Sequence, residues 1–341
     1  MHLSPLTRRR LAIFRSHKRG YWSLWIFLSL FGLTLFAEFI ANDRPLLIRY
    51  NGHWYVPVLQ DYSEDTFGDG FMPTEADFED PEVQAAINAR GWMLWPPIRY
   101  SYNTEVRQLT TPAPSPPDGK NLLGTDDEAR DVLARVIYGS RASLAAGAIS
   151  VSIALAIGVP LGLLSGYRGG FVDALISRLT DAMLACPFLI LAIALAAFLG
   201  PSLGNAMIAI GVSATPIFIR LTRGQTIGVK VEDYVEAARA IGNPPWRIAL
   251  FHILPNILPA LLVQATLSIA AAIIAEAALS FLGLGQQPPA PSWGSMLNSA
   301  QRFLTNAPWM ALWPGFAIFL VVLSFNLVGD GLRDALDPRQ R

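Results

Sequence analysis

The chain has 341 residues, of which 52% are hydrophobic and 15% are charged. Soluble domains carry about 25% charged residues, so this chain, with a mean hydropathy of +0.37, has too few charges to cover a soluble surface. The formal net charge of +0 gives no electrostatic footprint for nucleic acid. The single cysteine, Cys186, excludes an intramolecular disulfide. These values predict a membrane protein without a nucleic-acid partner.

The first long apolar run, residues 21–41, predicts an uncleaved membrane anchor. It has the length of about 20 residues that crosses a bilayer as a helix, which is too long for the apolar region of a cleaved signal peptide. Residues 1–20 before it carry basic side chains and no acidic ones. The positive-inside rule therefore places this N-terminal segment in the cytoplasm.

Five further apolar runs predict five more membrane helices. They cover residues 143–165, 182–199, 206–221, 260–284 and 310–329. The fourth predicted span of the chain, residues 206–221, is the weakest, because Pro216 interrupts it and Arg220 ends it. Alternating the sides from the first anchor places the basic loops and the C-terminus in the cytoplasm. We expect an all-α polytopic membrane protein with six transmembrane helices and both termini cytoplasmic.

Residues 42–135 form a long polar stretch between the first and second spans. It holds more acidic than basic residues, which suits the outer side of the membrane. Its aromatic residues and turn formers predict a small folded insert outside the cytoplasm. Residues 136–341 then form a core of five helices.

Two local patterns stand out within this insert. Residues 80–91 predict a short helix with Asp80 as its N-cap, Pro81 in its first turn and Gly91 as its terminator. Residues 111–119 are rich in proline and predict a stiff connector that leads back to the membrane.

The spans contain few ionisable residues, which a channel or a proton-coupled carrier usually needs in mid-membrane. Glu276 is the deepest of them, and its small neighbours allow close helix packing. A packing role and a path-lining role both remain open for Glu276. The sequence has no phosphate-binding glycine loop, metal-ligand cluster or nucleophile triad. We therefore expect no catalytic residue, no cofactor, no metal site and no ATP hydrolysis by this chain itself.

The most informative segment is the loop at residues 223–258, which is predicted to be cytoplasmic. Residues 231–241 predict an amphipathic helix that Gly242 ends. A proline pair after it predicts a second short helix over residues 246–253, which Pro255 stops.

This predicted helix-turn-helix has the features of a docking site. Ala237 and Ala238 are expected to be exposed beside Glu236, so that the backbone of a partner can come close while Glu236 pairs with it or caps its own loop. Composition alone also favours a helix lying on the lipid surface. Both interpretations are open on the residue pattern.

The spacing within this loop resembles the EAA loop of bacterial ABC-importer permeases, which also lies between two late spans. The residues that carry the resemblance are Glu236, Ala237, Ala238, Gly242, His252, Leu254 and Pro255. The form His-Ile-Leu-Pro-Asn, which starts at His252, is similar to the peptide and nickel branch of that family. Residues 123–131, 275–294 and 329–338 resemble the same branch.

The resemblance covers roughly residues 120–341 and implies the permease fold of a type I ABC importer. It implies a heterodimer with a second homologous permease, cytoplasmic ABC ATPase subunits and a periplasmic or extracellular solute-binding protein. Closure of the ATPases on nucleotide would pull the EAA-type loop and rock the spans between inward-open and outward-open states. The expected location is the bacterial inner membrane.

The N-terminal third of the chain is similar to the microcin C-type permease, whereas the rest is similar to dipeptide permeases. The resemblance thus implies inward transport of peptides or peptide-like compounds, with nickel complexes, small glycosides and opines still open. Ala129 stands where the family usually has glycine. Because alanine is acceptable in a helix, no loss is expected there, although a tight turn would disfavour it.

Two other classes of function remain as alternatives. A stand-alone secondary carrier or channel would need paired charges in mid-membrane, which the spans lack. A structural or regulatory membrane subunit would leave uptake intact when only the partner permease is present.

Overall fold

The computed structural model describes residues 5–68, 73–107, 109 and 111–336, which are predominantly helical. The chain divides into two compact units. One unit comprises Leu30–Arg141 and Pro288–Gly315, and the other comprises Met1–Ser29, Ala142–Gln287 and Phe316–Arg341.

The described residues contain α-helices of very different lengths, separated by two longer stretches, 41–80 and 91–131, in which no described residue is α-helical. In chain order they are α1 (Pro5–Ser16), α2 (Lys18–Leu35), α3 (Ala37–Ile40), α4 (Pro81–Arg90), α5 (Val132–Arg168), α6 (Gly170–Leu184), α7 (Phe188–Leu199), α8 (Leu203–Val229), α9 (Asp233–Ala240), α10 (Pro245–Ile248), α11 (Leu254–Phe281), α12 (Trp293–Ala300) and α13 (Trp309–Leu336). A π-helical turn, Ala249–Ile253, joins α10 to α11.

Within the described residues, four helices are long and apolar enough to cross a membrane. They are α5, α8, α13 and the continuous helix Pro245–Phe281, which contains α10 and α11. The pair α6 and α7 makes a fifth span if both helices cross together. This count is lower than the six predicted, because α2 has only 18 residues and begins with Lys18 and Arg19. The sixth span therefore stays a prediction.

Two predicted spans have a different shape in the structure. The run at 182–199 is not one straight helix, because α6 and α7 meet at an angle of 90° before Pro187. A proline disfavours helical geometry in the residue before it, which explains the break. The predicted interruption at Pro216 is wrong, since α8 continues through it to Val229. Burial of α8 among its neighbours outweighs the low helix propensity of proline.

A row of glycines lets α5 and α8 pack at very short distance. Gly158, Gly162 and Gly166 recur every four residues on one face of α5. A Cβ atom at Gly162 would lie 2.6 Å from the Cβ of Thr222, and one at Gly158 would lie 2.6 Å from the Cβ of Phe218. Helices in lipid associate through such close van der Waals contact, because no hydrophobic force drives them together.

The chain also contains a small β-sheet, which the all-α prediction did not include. Strand β1 (Leu47–Tyr50) lies between β2 (His53–Tyr55) and β3 (Gly91–Leu94), and both pairings are antiparallel. Phe67 is fully buried behind the sheet, where its ring contacts those of Tyr50 and Phe78. The polar segment after α3 therefore has a hydrophobic core of its own.

The predicted helix at 80–91 is confirmed as α4. The Asp80 carboxylate accepts a hydrogen bond of 2.7 Å from the backbone N–H of Glu82, and Pro81 occupies the first turn. Gly91 ends the helix in an extended conformation. A Cβ at Gly91 would lie 1.7 Å from the carbonyl oxygen of Arg49, so the glycine allows β3 to approach β1.

The segment before α5 forms the tight turn that disfavours alanine at position 129, and not the helix in which alanine was expected to cause no loss. Ala129 has φ +60°, in the left-handed region that disfavours residues other than glycine. Its backbone N–H donates to the carbonyl oxygen of Asp126 at 3.1 Å. The Asp126 carboxylate accepts from the Nε–H of Arg130 at 2.9 Å, and both side chains are buried.

Replacing Ala129 by glycine should stabilise the protein. The left-handed conformation costs a residue other than glycine about 1–2 kcal/mol, and the extra freedom of glycine in the unfolded chain takes back about 0.4–1 kcal/mol. We expect Ala129→Gly to raise the free energy of unfolding by roughly 0.5–1 kcal/mol, measured by denaturant unfolding of the purified chain in detergent. The matched control Ala85→Gly, at an exposed position inside α4, should lower it by about 1 kcal/mol. Equal changes in the free energy of unfolding for Ala129→Gly and Ala85→Gly would contradict the left-handed conformation of Ala129.

Replacing Gly162 by alanine should separate α5 from α8. Because Thr222 and the backbone of α8 leave no room for a Cβ, we expect Gly162→Ala to destabilise the fold by about 1–3 kcal/mol. Gly224→Ala is the control, since Gly224 lies in α8 with no atom within 4 Å of its Cβ position. Thermal unfolding in detergent gives the comparison, and an unchanged melting temperature for Gly162→Ala would rule out the close packing.

Candidate functional site

The segment at 223–258 forms the helix-turn-helix that its sequence predicts. Helix α9 lies within the predicted range 231–241, and Gly242 follows it with φ +84°. The N–H of Gly242 donates to the carbonyl of Arg239 at 3.0 Å, and the N–H of Asn243 donates to the carbonyl of Ala238 at 3.2 Å. These two bonds form a Schellman motif, which needs a left-handed residue at Gly242. The turn after α9 therefore has a fixed geometry.

The second helix does not stop at Pro255, as the sequence predicted. It begins at Pro245, passes through the π-helical turn Ala249–Ile253 and continues as α11. Pro255 stands in the first turn of α11, where a missing backbone N–H is tolerated. The result is one helix of 37 residues from Pro245 to Phe281, about 55 Å long at the usual rise of 1.5 Å per residue.

One face of α9 packs against the same subunit. Val235 and Ala238, three residues apart on this face, are 0% and 4% exposed. They belong to a buried cluster with Leu163, Ile248, Ile253, Ile257 and Leu261. The expectation that Ala238 is exposed is therefore wrong. Val235 and Ala238 are three residues apart, which places both on one face of a helix. This spacing is the sequence pattern that could have predicted their burial.

The opposite face of α9 and the following turn are open to solvent. Glu236 and Ala237 are exposed, as the sequence predicted. Sequence reasoning missed two large apolar neighbours, Ile241 at 80% and Trp246 at 61% exposure. Partial burial and the nearby Glu232 carboxylate raise the pKa of the Tyr234 hydroxyl, so this exposed side chain stays neutral. Small, aromatic and acidic groups therefore lie together on one exposed surface.

The remaining residues of the predicted loop lie at the joint between α10 and α11. His252 is half-buried in the π-helical turn, and its Nδ1 atom is buried without a hydrogen-bond partner. The carbonyl of His252 accepts a bond of 2.7 Å from the Asn256 side chain. Leu254 packs against the buried cluster, whereas Pro255 is exposed. Only part of the predicted set therefore lies on the open surface.

Two polar contacts fix the end of α8, from which α9 follows. Arg223 donates from Nε and Nη2 to the two carboxylate oxygens of Asp173 on α6, at 2.5 and 2.7 Å. Lys230 Nζ donates to the carbonyl of Gly166 in α5 at 2.8 Å. The two-point bond between the Arg223 guanidinium group and the Asp173 carboxylate is of the strong, geometrically specific kind. Together, the contacts of Arg223 and Lys230 hold the C-terminal end of α8 against α6 and α5.

Glu276 lies in α11, away from this segment, and is fully buried. Its Oε2 accepts from the Ser143 hydroxyl at 2.9 Å and its Oε1 accepts from the Ser280 hydroxyl at 2.6 Å. The Ser280 oxygen also accepts from the N–H of Gln286 at 3.0 Å. The carboxyl group thus links α5, α11 and the turn after α11.

Comparison with known proteins identifies the group to which the chain is similar. Residues 158–341 match the family described as the binding-protein-dependent transport system inner membrane component. The peptidoglycan transport system permease protein YejE of Agrobacterium fabrum is 38% identical over 99% of this chain and 94% of its own length. The dipeptide transport system permease protein DppC of Alkalihalophilus pseudofirmus is 52% identical over 66% of this chain and 74% of its own length.

A solved structure of the MetNI methionine ABC transporter in an inward-facing conformation has a similar fold. It is 23% identical, with a TM-score of 0.51 over 60% of this chain and 97% of the solved chain. The likeness shows that the two chains share a fold. The family match covers more than half of the residues, and the relatives extend it to nearly the whole length. The chain therefore belongs to the binding-protein-dependent transport family as an inner-membrane permease subunit of an ABC importer, in which ATP hydrolysis resides in separate partner subunits.

Proposed function

We propose that this permease carries peptides or peptide-like compounds into the cytoplasm, and that residues 223–258 couple it to its ATPase subunits. The relatives named for peptidoglycan and dipeptide transport support this substrate class. One observation carries the coupling role. Helix α9 is fixed to its own subunit on one face, open on the other, and followed by a helix that continues to Phe281.

The proposal includes six spans. The α2–α3 segment, at residues 21–41, is the first, and α5, the α6–α7 pair, α8, Pro245–Phe281 and α13 are the others. In this arrangement the basic residues 1–20 and the C-terminus lie in the cytoplasm. The insert with its connector, residues 42–135, then lies on the outer side, and residues 136–341 form the core of five helices.

Force from the ATPases would enter at the open face of α9. A partner that contacts Glu236, Ala237 and Trp246 moves α9 as a body, because the Schellman motif fixes the turn after it. Val235 and Ala238 pass this motion to Leu163 in α5 through buried contacts. Packed cores shift between discrete arrangements and do not deform continuously, so such a contact transmits a displacement. A loosely attached loop would absorb it.

The same displacement would reach the far end of α11. Glu276 lies 31 positions after Pro245 in the one continuous helix. Its bonds to Ser143 and Ser280 support a packing role, in which the carboxyl group keeps α11 in register with α5. We propose this role for Glu276 and assign it no contact with the substrate.

Two further partners complete the proposed importer. A second homologous permease forms a heterodimer with this chain, as the family resemblance implies. A solute-binding protein delivers the substrate to the outer face of the permease, and it contacts the folded insert there. The insert has its own core around Phe67 and Ile48, which supports a rigid contact surface.

Isolation of the chain from native membranes in mild detergent tests the proposed function. We expect an ABC ATPase and a second permease to co-purify, and a strain without this chain to lose uptake of a labelled dipeptide or peptidoglycan fragment. Recovery of neither partner with well-folded protein would favour the stand-alone carrier or channel. Unchanged uptake by the partner permease alone would favour a structural subunit.

Arginine substitutions at two adjacent alanines distinguish an effect on docking from an effect on folding, because Ala237 is exposed and Ala238 is buried. Ala237→Arg places a long side chain on the open face, so we expect normal protein levels but at least a tenfold loss of ATP-driven uptake. Ala238→Arg forces a charge into the buried cluster, so we expect the chain itself to lose stability by several kcal/mol. Uptake in reconstituted vesicles and thermal unfolding in detergent measure the two effects.

The outcome depends on both variants together. Full uptake by Ala237→Arg at normal levels would contradict the docking role of α9. Normal thermal stability of Ala238→Arg would contradict the burial of that position.

A further inference from the structure

A groove of about 510 Å³ lies beside α9, where three helices meet. Arg168, the last residue of α5, lines it together with Lys230, which directly follows α8. Glu236 and Arg239 contribute to the groove from α9. All of these residues belong to one compact unit.

The groove carries an excess of positive charge. Arg168, Lys230 and Arg239 face one carboxylate, that of Glu236. Lys230 uses one of its three N–H donors for the carbonyl of Gly166 and keeps two for another partner. Arg168 and Arg239 are exposed, and guanidinium groups match the oxygen pair of a phosphate group. The lining therefore suits an anion with several oxygen atoms.

The groove also lies where two membrane helices end. Helices α5 and α8 have the length and hydropathy of spans, and their C-terminal ends are at Arg168 and Val229. The apolar run at 143–165 within α5 ends three residues before Arg168, so Arg168 lies about 5 Å beyond the end of a segment that has the length of a membrane span. Val231, an apolar residue that also lines the groove, is 65% exposed.

We propose that this groove binds the headgroup of an anionic phospholipid. The phosphate group lies between the guanidinium groups of Arg168 and Arg239, and the Lys230 ammonium group adds a third positive charge. Basic pockets between membrane helices are the sites where anionic headgroups bind. A bound lipid then bridges α5 and α9, and it holds the coupling segment at a fixed distance from the membrane.

A carboxylate from a partner ATPase is the other occupant that the charges permit. The position of the groove at the ends of α5 and α8 favours the lipid. Native mass spectrometry of the purified transport complex tests the choice. The complex is titrated with phosphatidylglycerol, with phosphatidylcholine and with inorganic phosphate.

The double variant Arg168→Gln, Arg239→Gln should bind phosphatidylglycerol roughly thirtyfold more weakly, because each basic residue near an anionic surface contributes about fivefold. Binding of phosphatidylcholine should not change. Arg178→Gln is the matched control, since Arg178 is an exposed arginine of α6 outside the groove, and it should bind as the wild type does. The pair Arg168→Lys, Arg239→Lys keeps both charges and should retain most of the binding.

Three results would overturn the proposal. The double glutamine variant could bind phosphatidylglycerol with wild-type affinity. It could lose the ATPase while lipid binding stays intact, which would assign the groove to the partner protein. Finally, inorganic phosphate could displace the lipid at equal concentration, which would make the groove a site for soluble anions.

Discussion

The close contact between α5 and α8 is the constraint on which the permease core depends. Three glycines on one face of α5 remove the side chains that would otherwise hold the two backbones apart. In lipid this proximity replaces the hydrophobic force that packs a soluble core. Helix α8 also contacts α6, α7 and α11, so its position relative to α5 sets the arrangement of the others. The bonds of Arg223 to α6 and of Lys230 to α5 fix its far end.

Helix α9 shows how a short surface helix is stabilised by packing on one of its faces while the other stays exposed. Helix α9 has only eight residues, which is too short to be stable by itself in water. Burial of Val235 and Ala238 against α5 and α11 supplies the missing stability. The opposite face, with Glu236 and Ala237, stays exposed and takes no part in this packing. The continuous helix that follows connects this surface to Glu276, deep among the membrane helices.

The insert folds by different physics from the rest of the chain. Its aromatic core around Phe67 is built by edge-to-face ring contacts with Tyr50, Tyr55 and Phe78, which suit a small domain in water. Strand β3 pairs with β1 only because Gly91 has no side chain at the crossing point. The insert therefore has a hydrophobic core of its own.

The amino-acid order alone was enough for the features that depend on nearby residues. It predicted α4 from its Asp80 cap, α9 from its apolar period and the turn at Gly242, because each signal lies within a few residues. The family resemblance at residues 236–255 rests on the same kind of short spacing. The lengths of the apolar runs also predicted that the chain is a membrane protein with several long helices, among them α5, α8, α11 and α13.

Long-range packing decided the rest. The sheet was missed because β1 and β3 are more than 40 positions apart in the chain and each has only four residues. The burial of Ala238 depends on Leu163, far away in sequence. The continuation of α8 through Pro216 and the continuity of α10 with α11 through the π-helical turn depend on neighbouring helices, which outweigh local propensity. The turn at Ala129 contains the bond between Asp126 and Arg130, and the burial of these two side chains is a feature of the tertiary structure that the residue pattern does not show.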